Sequence, residues 1–235
     1  MQIGKIICYG FSSPQSGWRH DNFSGVHRLY HIHGGKGGCI HNGKNYSFLP
    51  DHLYLIPYTE GLRLYCDPEE PILHTYMDFE LIPSLFFSEV LEAEPAEEEL
   101  QAAVALFDLG GRQERTEALH TLCVAAVLYL VQALAEKHRI ALPTDVVVLK
   151  ALERMHSGMH EPLTVEQLAK ECFMNPDSFI RRFAKAVGCT PYAYLRRLRL
   201  NTARRLRGEG LPLEEVARAV GYADGSSLLH SLNKK

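Results

Sequence analysis

The chain has no hydrophobic run long enough to cross a bilayer. Its longest unbroken apolar stretch, Leu122 to Val131, is ten residues, about half of the roughly 20 that a spanning helix needs. No signal-peptide pattern opens it. It has no CxxC pair: Cys8, Cys39, Cys66, Cys123, Cys172 and Cys189 are scattered, and they read as reduced, mostly packing residues of a cytosolic protein. Neither a Ser-His-Asp arrangement nor a Gly-rich phosphate loop is present, so no catalytic residue is assigned. One further absence is local. From Ser178 to Gly208 there is no acid at all, against nine Lys or Arg.

That gap changes the meaning of the net charge of −3. From Glu161 onward there are 13 basic and 8 acidic residues, about +5, and the first 160 residues hold 12 basic and 20 acidic, about −8. A basic C-terminal part on an acidic body suggests contact with nucleic acid. At 235 residues the chain has room for one large domain or two small ones.

Between Leu163 and Lys235 one local pattern occurs twice. In the first copy VEQLAKEC predicts a short helix with Val165, Leu168 and Ala169 inward. A turn at Phe173 and Met174 follows, then Asn175 as N-cap, Pro176 at the first helical position and a helix to Val187. In the second, LEEVARAVG predicts the short helix, Gly221 the turn, and Asp224 the cap of a helix running to the end. Ala169 and Ala217 are the small residues where helices cross. Phe179 and Phe183 in one copy, and Leu228 and Leu232 in the other, are the buried edges of the second helices. Two short helices joined by a tight turn are a helix-turn-helix. The outer edges then carry Asp177, Ile180 and Arg181 in one copy, and Ser226, Leu229 and His230 in the other.

Between the copies, Thr190 and Pro191 open a helix to about Arg207, whose buried face is expected to be Tyr192, Leu195, Leu198, Ala203 and Leu206. Its other side holds Arg196, Arg197, Arg199, Arg204, Arg205 and Arg207. At ~1.5 Å per residue this rod is roughly 25 Å long, enough to set two reading helices toward successive major grooves about 34 Å apart.

The stretch LTVEQLAKECFMNPDSFIRRFAKAVGCTPYAYLRRLRLNTARRLRGEGLPLEEVARAVGYADGSSLLHSLNKK resembles the DNA-binding region of the AraC/XylS family of bacterial transcription regulators. The Gly188–Pro191–Tyr194 spacing, the LRRLRLNTARRL helix and EVARAVGY carry the likeness, over about a third of the chain. It departs from the family at Phe173, where a small residue, usually Gly, is expected. Gly225, Leu229 and Leu232 make the last helix atypical, and the sequence stops before the family's further short helix, so the second motif is read as truncated or weakened. Base reading is assigned to Arg181, which can donate two bonds to guanine, to Asp177, and to Ile180 against a thymine methyl. Ser226, Ser227 and His230 would serve in the second motif. Arg182, Arg196 and Arg197 are the phosphate contacts.

Residues 1–80 read as β: many short apolar segments separated by Gly, Pro, Asn and Asp argue for a small sandwich or barrel. GGKGG and NGK read as hairpin turns. The segment FLPDHLYLIP resembles the cupin-like sensing domain that precedes many AraC-type heads, which implies an interior for a small molecule. If the chain reverses within Gly34–Gly38, His33 falls opposite Cys39 and His31 opposite His41, on one face. That set suits a borderline metal, but no metal or cofactor is assigned, because the rest of a metal-cupin ligand set is missing. The bland reading is that His31 and His33 line the pocket. Trp18 and Arg19 precede the first long strand, where the family can carry an arm that closes on ligand, although a lone Trp in a loop is also a packing anchor.

After Leu81 the period changes, and the acidic stretch Glu94 to Glu99 is expected to start a helix that runs to about Leu109, broken by Gly110 and Gly111. A long helix follows from Arg112 to about His138, with two apolar stripes suited either to packing on the barrel and on a second subunit or to an ordinary buried helix. Pro143 and Thr144 then open a helix through His156. The fold class is α+β: residues 1–142 form a sensing and dimerisation domain (barrel 1–80, helices 81–138), and residues 143–235 a DNA-binding domain. The function expected is a cytoplasmic, ligand-responsive transcription regulator, not an enzyme. Its partners would be promoter DNA, a small-molecule effector, a second copy of itself and possible contact with RNA polymerase, with no membrane. The alternatives are a metal-binding cupin sensor or enzyme with a degenerate DNA-binding appendage, and a family member that regulates through protein contacts.

Overall fold

The computed structural model describes the chain apart from residues 15–18, 22–25, 58–61, 83–84, 86, 88, 113–115, 141–142 and 234–235, and apart from the side chains of 19–21. Trp18 and the Arg19 side chain therefore lie outside the described residues. Two compact units divide the chain: Met1–Leu81 with Leu85–Ile140, and Ala141–Lys235 with Ile82–Ser84.

The first unit contains β1 (Gln2–Ser12), β2 (Arg19–Asp21), β3 (His27–Gly34), β4 (Gly37–His41), β5 (Lys44–Ser47), β6 (Leu53–Ile56), β7 (Arg63–Cys66), β8 (Leu73–Ile82) and β9 (Leu91–Ala93). They form a five-stranded sheet ordered β1-β8-β3-β6-β9 and a four-stranded sheet ordered β2-β7-β4-β5. β2 and β9 are three-residue strands, too short for alternation to announce them. Strand alternation places Tyr30, Ile32, Tyr54 and Ile56 of one sheet against Cys39, Leu64 and Cys66 of the other, in a shared apolar core. Arg28 lies on the same inner face, its Nε 3.2 Å from Asp78 Oδ2. Burial raises the Asp78 carboxyl above its ordinary value despite that guanidinium.

The hairpin expected across GGKGG does not form. β3 continues to Gly34, paired with Leu73, and β4 begins in the other sheet. The glycines serve a crossing between sheets. Gly35 has φ +80°, and a Cβ there would sit 2.2 Å from the Pro71 carbonyl oxygen; one on Gly38 would sit 2.2 Å from that of Tyr46. Cys39 instead pairs with Tyr46 and Leu64, and His41 with Lys44. His31 and His33 are therefore not opposite His41 and Cys39, and the four do not form one ligand set. The NGK turn does form: Asn42 and Gly43 have φ of 51° and 76° between paired His41 and Lys44, the two positive angles of a type I′ turn.

The outer face of β3 carries Leu29 and His31 and is covered by helix α1 (Glu98–Arg112). α1 does not break at its glycines. Close packing explains both: a Cβ on Gly110 would lie 2.6 Å from Cys123 Sγ, and one on Gly111 2.8 Å from Thr75 Cγ2. Helix α2 (Glu117–Lys137) starts later than expected, capped by Thr116, whose side chain accepts from the Leu119 amide. α2 is 21 residues long with mean hydropathy 1.9 over its most apolar window, so by length and composition it could cross a membrane, although its unbroken apolar run of ten residues led to the opposite expectation. Seven of its residues are buried, among them Val127, Leu130 and Leu134, as in a core helix. Ala118, Leu122, Ala125 and Tyr129, at helical spacing, are exposed.

The second unit is helical: α3 (Val146–Ser157), α4 (Val165–Glu171), α5 (Pro176–Val187), α6 (Pro191–Gly208), α7 (Leu213–Ala219) and α8 (Gly225–Asn233). α3 is capped by Asp145, which accepts from the Val147 and Val148 amides, so Pro143 and Thr144 precede the helix rather than open it. The N-terminal unit has a cupin-like fold and the C-terminal unit is all-α.

Candidate nucleic-acid interface

Two equivalent turns build the interface. α4 and α7 both end in a residue with positive φ, Phe173 at 56° and Gly221 at 78°. In each, the amide two residues past the helix cap returns to the helix: Met174 N–H donates to the Ala169 carbonyl and Tyr222 N–H to that of Ala217, both at 2.9 Å. The residue before it closes the inner bond, Phe173 to Lys170 and Gly221 to Arg218. This is a Schellman motif in both copies. Ala169 and Ala217 are fully buried, as the crossing requires.

After the first turn Asn175 accepts from the Ser178 amide at 2.8 Å, Pro176 occupies the first turn, and Gly188 at φ 79° ends α5. Phe179 and Phe183 face inward, fully buried, and Phe183 meets the Tyr194 ring edge-on at 5.8 Å. Asp177, Arg181, Arg182 and Lys185 are exposed, while Ser178 and Ile180 are half-buried. Arg181 Nη2 is 3.4 Å from Ser178 Oγ. Arg182 Nε donates to Asp145 Oδ2 at 2.6 Å, which holds the Asp145 carboxyl below its ordinary value. The α5 edge thus presents Asp177 and Arg181 outward and ties Arg182 to the cap of α3.

The second turn is one residue longer. Asp224 accepts from the Ser227 amide at 2.7 Å, and Ser227 Oγ donates to the Asp224 carbonyl at 2.8 Å. Ser227 is therefore engaged in capping α8, while Ser226 and His230 are exposed. Gly225 has a packing cause: a Cβ would lie 2.6 Å from Glu214 Oε1, and its amide donates to Glu214 Oε2 at 3.1 Å. A side chain of α7 thus caps α8 from outside, a contact that sequence spacing does not reveal. Leu228 is fully buried among Val216, Ala217 and Val220, with Leu232 packed against them.

α6 differs from its expected form. Tyr192 is 68% exposed and Tyr194 is buried in its place. Eight of the 18 residues are buried, including Asn201 and Thr202, because helices pack on more than one side. Its arginines consequently act as braces. Arg199 donates to the Met159 and Glu161 carbonyls at 2.8 and 2.6 Å. Arg196 donates to the Ser231 carbonyl at 3.3 Å and Arg207 to that of Leu211 at 2.8 Å. Arg204 reaches Asn201, and Arg205 binds Glu209 at 2.6 Å. Burial lowers the affinity of Arg199 and Arg204 for their protons. Arg197 is exposed. The rod's arginines are thus largely engaged within the unit, and the acid-free run offers a smaller free cationic surface than its composition suggests.

A helix-turn-helix domain family matches residues 168–234. An AraC-like transcription regulator of Streptomyces antibioticus is 38% identical over 85 residues, 36% of this chain and 28% of that protein. The regulator AlkR of Acinetobacter baylyi is 33% identical over 86 residues, again 36% and 28%. The matched stretch is thus little more than a quarter of either relative. In structure, ToxT from Vibrio cholerae superposes with a TM-score of 0.56 at 13% identity, covering 97% of this chain and 94% of ToxT. ToxT with an unsaturated fatty acid bound superposes at 0.55 and 10% identity, over 99% and 92%. These structural likenesses speak for the fold, whereas the family match over residues 168–234 spans α5 to α8 and both turns. Over its C-terminal helix-turn-helix stretch, about a third of its length, the chain is thus similar to AraC-like transcription regulators.

Proposed function

We propose that the C-terminal unit reads duplex DNA through α5 and α8 and that the N-terminal unit senses a small molecule and pairs two copies, residues 1–142 and 143–235 being the functional domains. The observation that carries the reading is the α5 edge: a capped, amphipathic helix with both phenylalanines buried and Asp177 and Arg181 turned outward. Arg181 is suited to guanine, Asp177 to a cytosine amino group and Ile180 to a thymine methyl. Ser226 and His230 are the corresponding groups on α8, with Ser227 limited by its cap. Arg197 is the phosphate contact of α6, and Arg182 and Arg196 reach phosphate only by releasing Asp145 and the Ser231 carbonyl.

For the effector, ToxT supplies a precedent of the same fold with a small molecule bound. Here a cleft of about 380 Å³ is lined by Lys36, Phe48, Tyr65, Cys66 and Asp67, two of which belong to the barrel core. His31 and His33 sit on the outer face, away from that interior. The exposed Leu122 and Tyr129 on α2 support a homodimer. The action is that of a cytoplasmic regulator, and recruitment of RNA polymerase would follow from binding beside a promoter. A ligand changes this only through different affinity for two arrangements.

Titrating the full chain against promoter DNA at two salt concentrations tests the reading. It requires binding whose logarithm falls steeply with the logarithm of salt. An appendage that no longer reads DNA would give no such slope.

A further inference from the structure

His31 and His33 lie two residues apart on β3, on the face turned to α1. Asp108 of α1 reaches down to both. Its carboxylate oxygens are 3.1 and 3.0 Å from His31 Nδ1, and Oδ1 is 3.4 Å from His33 Nε2. One donor atom from each residue falls within 4.8 Å of the others. Bonds of about 2.0–2.1 Å around a tetrahedral ion would set neighbouring donors about 3.3 Å apart, so two of the three edges already have that length. The side chains are 9%, 14% and 17% exposed, which limits solvation while leaving a path inward. Thr75 Oγ1, 2.9 Å from His33 Nε2, borders the same space.

We propose that His31, His33 and Asp108 bind a divalent transition-metal ion, zinc fitting best, on the outer face of the barrel. Two imidazoles and one carboxylate are a borderline donor set with room for water as a further ligand. This is not the interior of the barrel, which lies on the Tyr30 and Ile32 side of the same strand. The ion would join β3 to α1, and thereby fix the helical layer on the sheet. Arg112 opposes it. Its Nη2 lies 3.2 Å from His33 Nδ1, and its guanidinium stacks on Phe11 at 4.3 Å. A donating Arg112 requires a lone pair on Nδ1 and so puts the proton on Nε2, the nitrogen the metal needs. Metal entry therefore exchanges the tautomer and displaces Arg112, which acts as a competing cation. The proposal is independent of DNA reading, and its failure would leave that reading untouched.

The test is calorimetric titration of Zn²⁺, and visible spectroscopy with Co²⁺, on the full-length, tag-free chain after chelation. One ion per chain is expected, with a Co²⁺ spectrum free of thiolate charge transfer. His33→Gln and Asp108→Asn should each weaken binding by at least about tenfold and remove the metal-induced rise in Tm. Arg112→Gln should tighten binding, which a merely structural triad would not produce, and His52→Gln should change nothing. Metal-free Tm values report whether each variant folds; should Asp108→Asn fail to fold, His33→Gln and Arg112→Gln carry the test. The proposal is overturned if wild type binds no stoichiometric ion. Undiminished binding in His33→Gln or Asp108→Asn, or a thiolate signature from the cysteines, overturns it equally.

Discussion

Phe173 and Gly221 hold the same left-handed backbone conformation at the same point of two turns, one with a side chain that pays for it and one without. Gly221 has no alternative, since a Cβ would lie 2.5 Å from the Met159 carbonyl oxygen. Phe173 points into solvent, 93% exposed, with Lys150 Nζ 5.6 Å from its ring centroid. Left-handed geometry costs a residue with a Cβ about 1–2 kcal/mol. Phe173→Gly should therefore stabilise the chain by about 1 kcal/mol, and Gly221→Ala should destabilise it by at least about 2 kcal/mol. Denaturant unfolding followed by helical circular dichroism reads both, and equal signs for the two variants would contradict this account of the turns.

The proposed roles of Arg199 and Arg197 on α6 differ. Arg199→Ala removes two bonds to carbonyl oxygens and leaves those acceptors unpaired, so it should cost about 3 kcal/mol of stability without altering the salt dependence of DNA binding per folded molecule. Arg197→Ala should leave stability within about 0.5 kcal/mol and lower the salt slope by about 1. Thermal melts and salt-dependent titrations, taken together on both variants, separate brace from phosphate contact.

Acid should loosen the C-terminal unit through His156. Burial holds its pKa down to about 4, and Tyr194 Oη lies 2.9 Å from Nε2. The unfolded chain takes up the proton near pH 6.5, while the folded unit does not until about pH 4. Stability is therefore complete above pH 6.5 and falls as the pH drops toward 4, by roughly 3 kcal/mol in all. His156→Gln should flatten that part of the stability profile measured by denaturant titration at several pH values.

A charge on the exposed apolar face of α2 should disrupt pairing. Leu122 is 51% exposed and Tyr129 45%, beside seven buried residues on the opposite side. Leu122→Glu is expected to shift sedimentation from dimer to monomer while leaving Tm within a few degrees (about 0.5 kcal/mol for an exposed site). A monomeric wild type would remove the dimer from the account.

The C-terminal unit was legible because its signals are local. Asn175–Pro176, Asp224, Gly221 and the i, i+4 apolar pairs are each settled within a few residues, whereas the αL position at Phe173 carries no local signal, because a Phe gives none. The α6 arginines depart from expectation for the opposite reason: whether a guanidinium faces water or a carbonyl depends on chain some 40 residues away, as with Arg199 and Met159. The histidines show the same limit. Alternation placed His31 and His33 on one face, but only the crossing at Gly35–Gly38 decides which face, and Asp108 lies 75 residues further on. Gly110 and Gly111 read as breakers, whereas close packing of α1 on Cys123 and Thr75 selects them.

The most direct measurement is the affinity of wild type and Arg181→Ala for a selected binding site and for a scrambled duplex of equal length, each at two salt concentrations. The account predicts that the variant loses roughly 1–3 kcal/mol on the selected site, loses little on the scrambled one, and keeps its salt slope. Equal loss on both duplexes, or binding indifferent to salt, would contradict it.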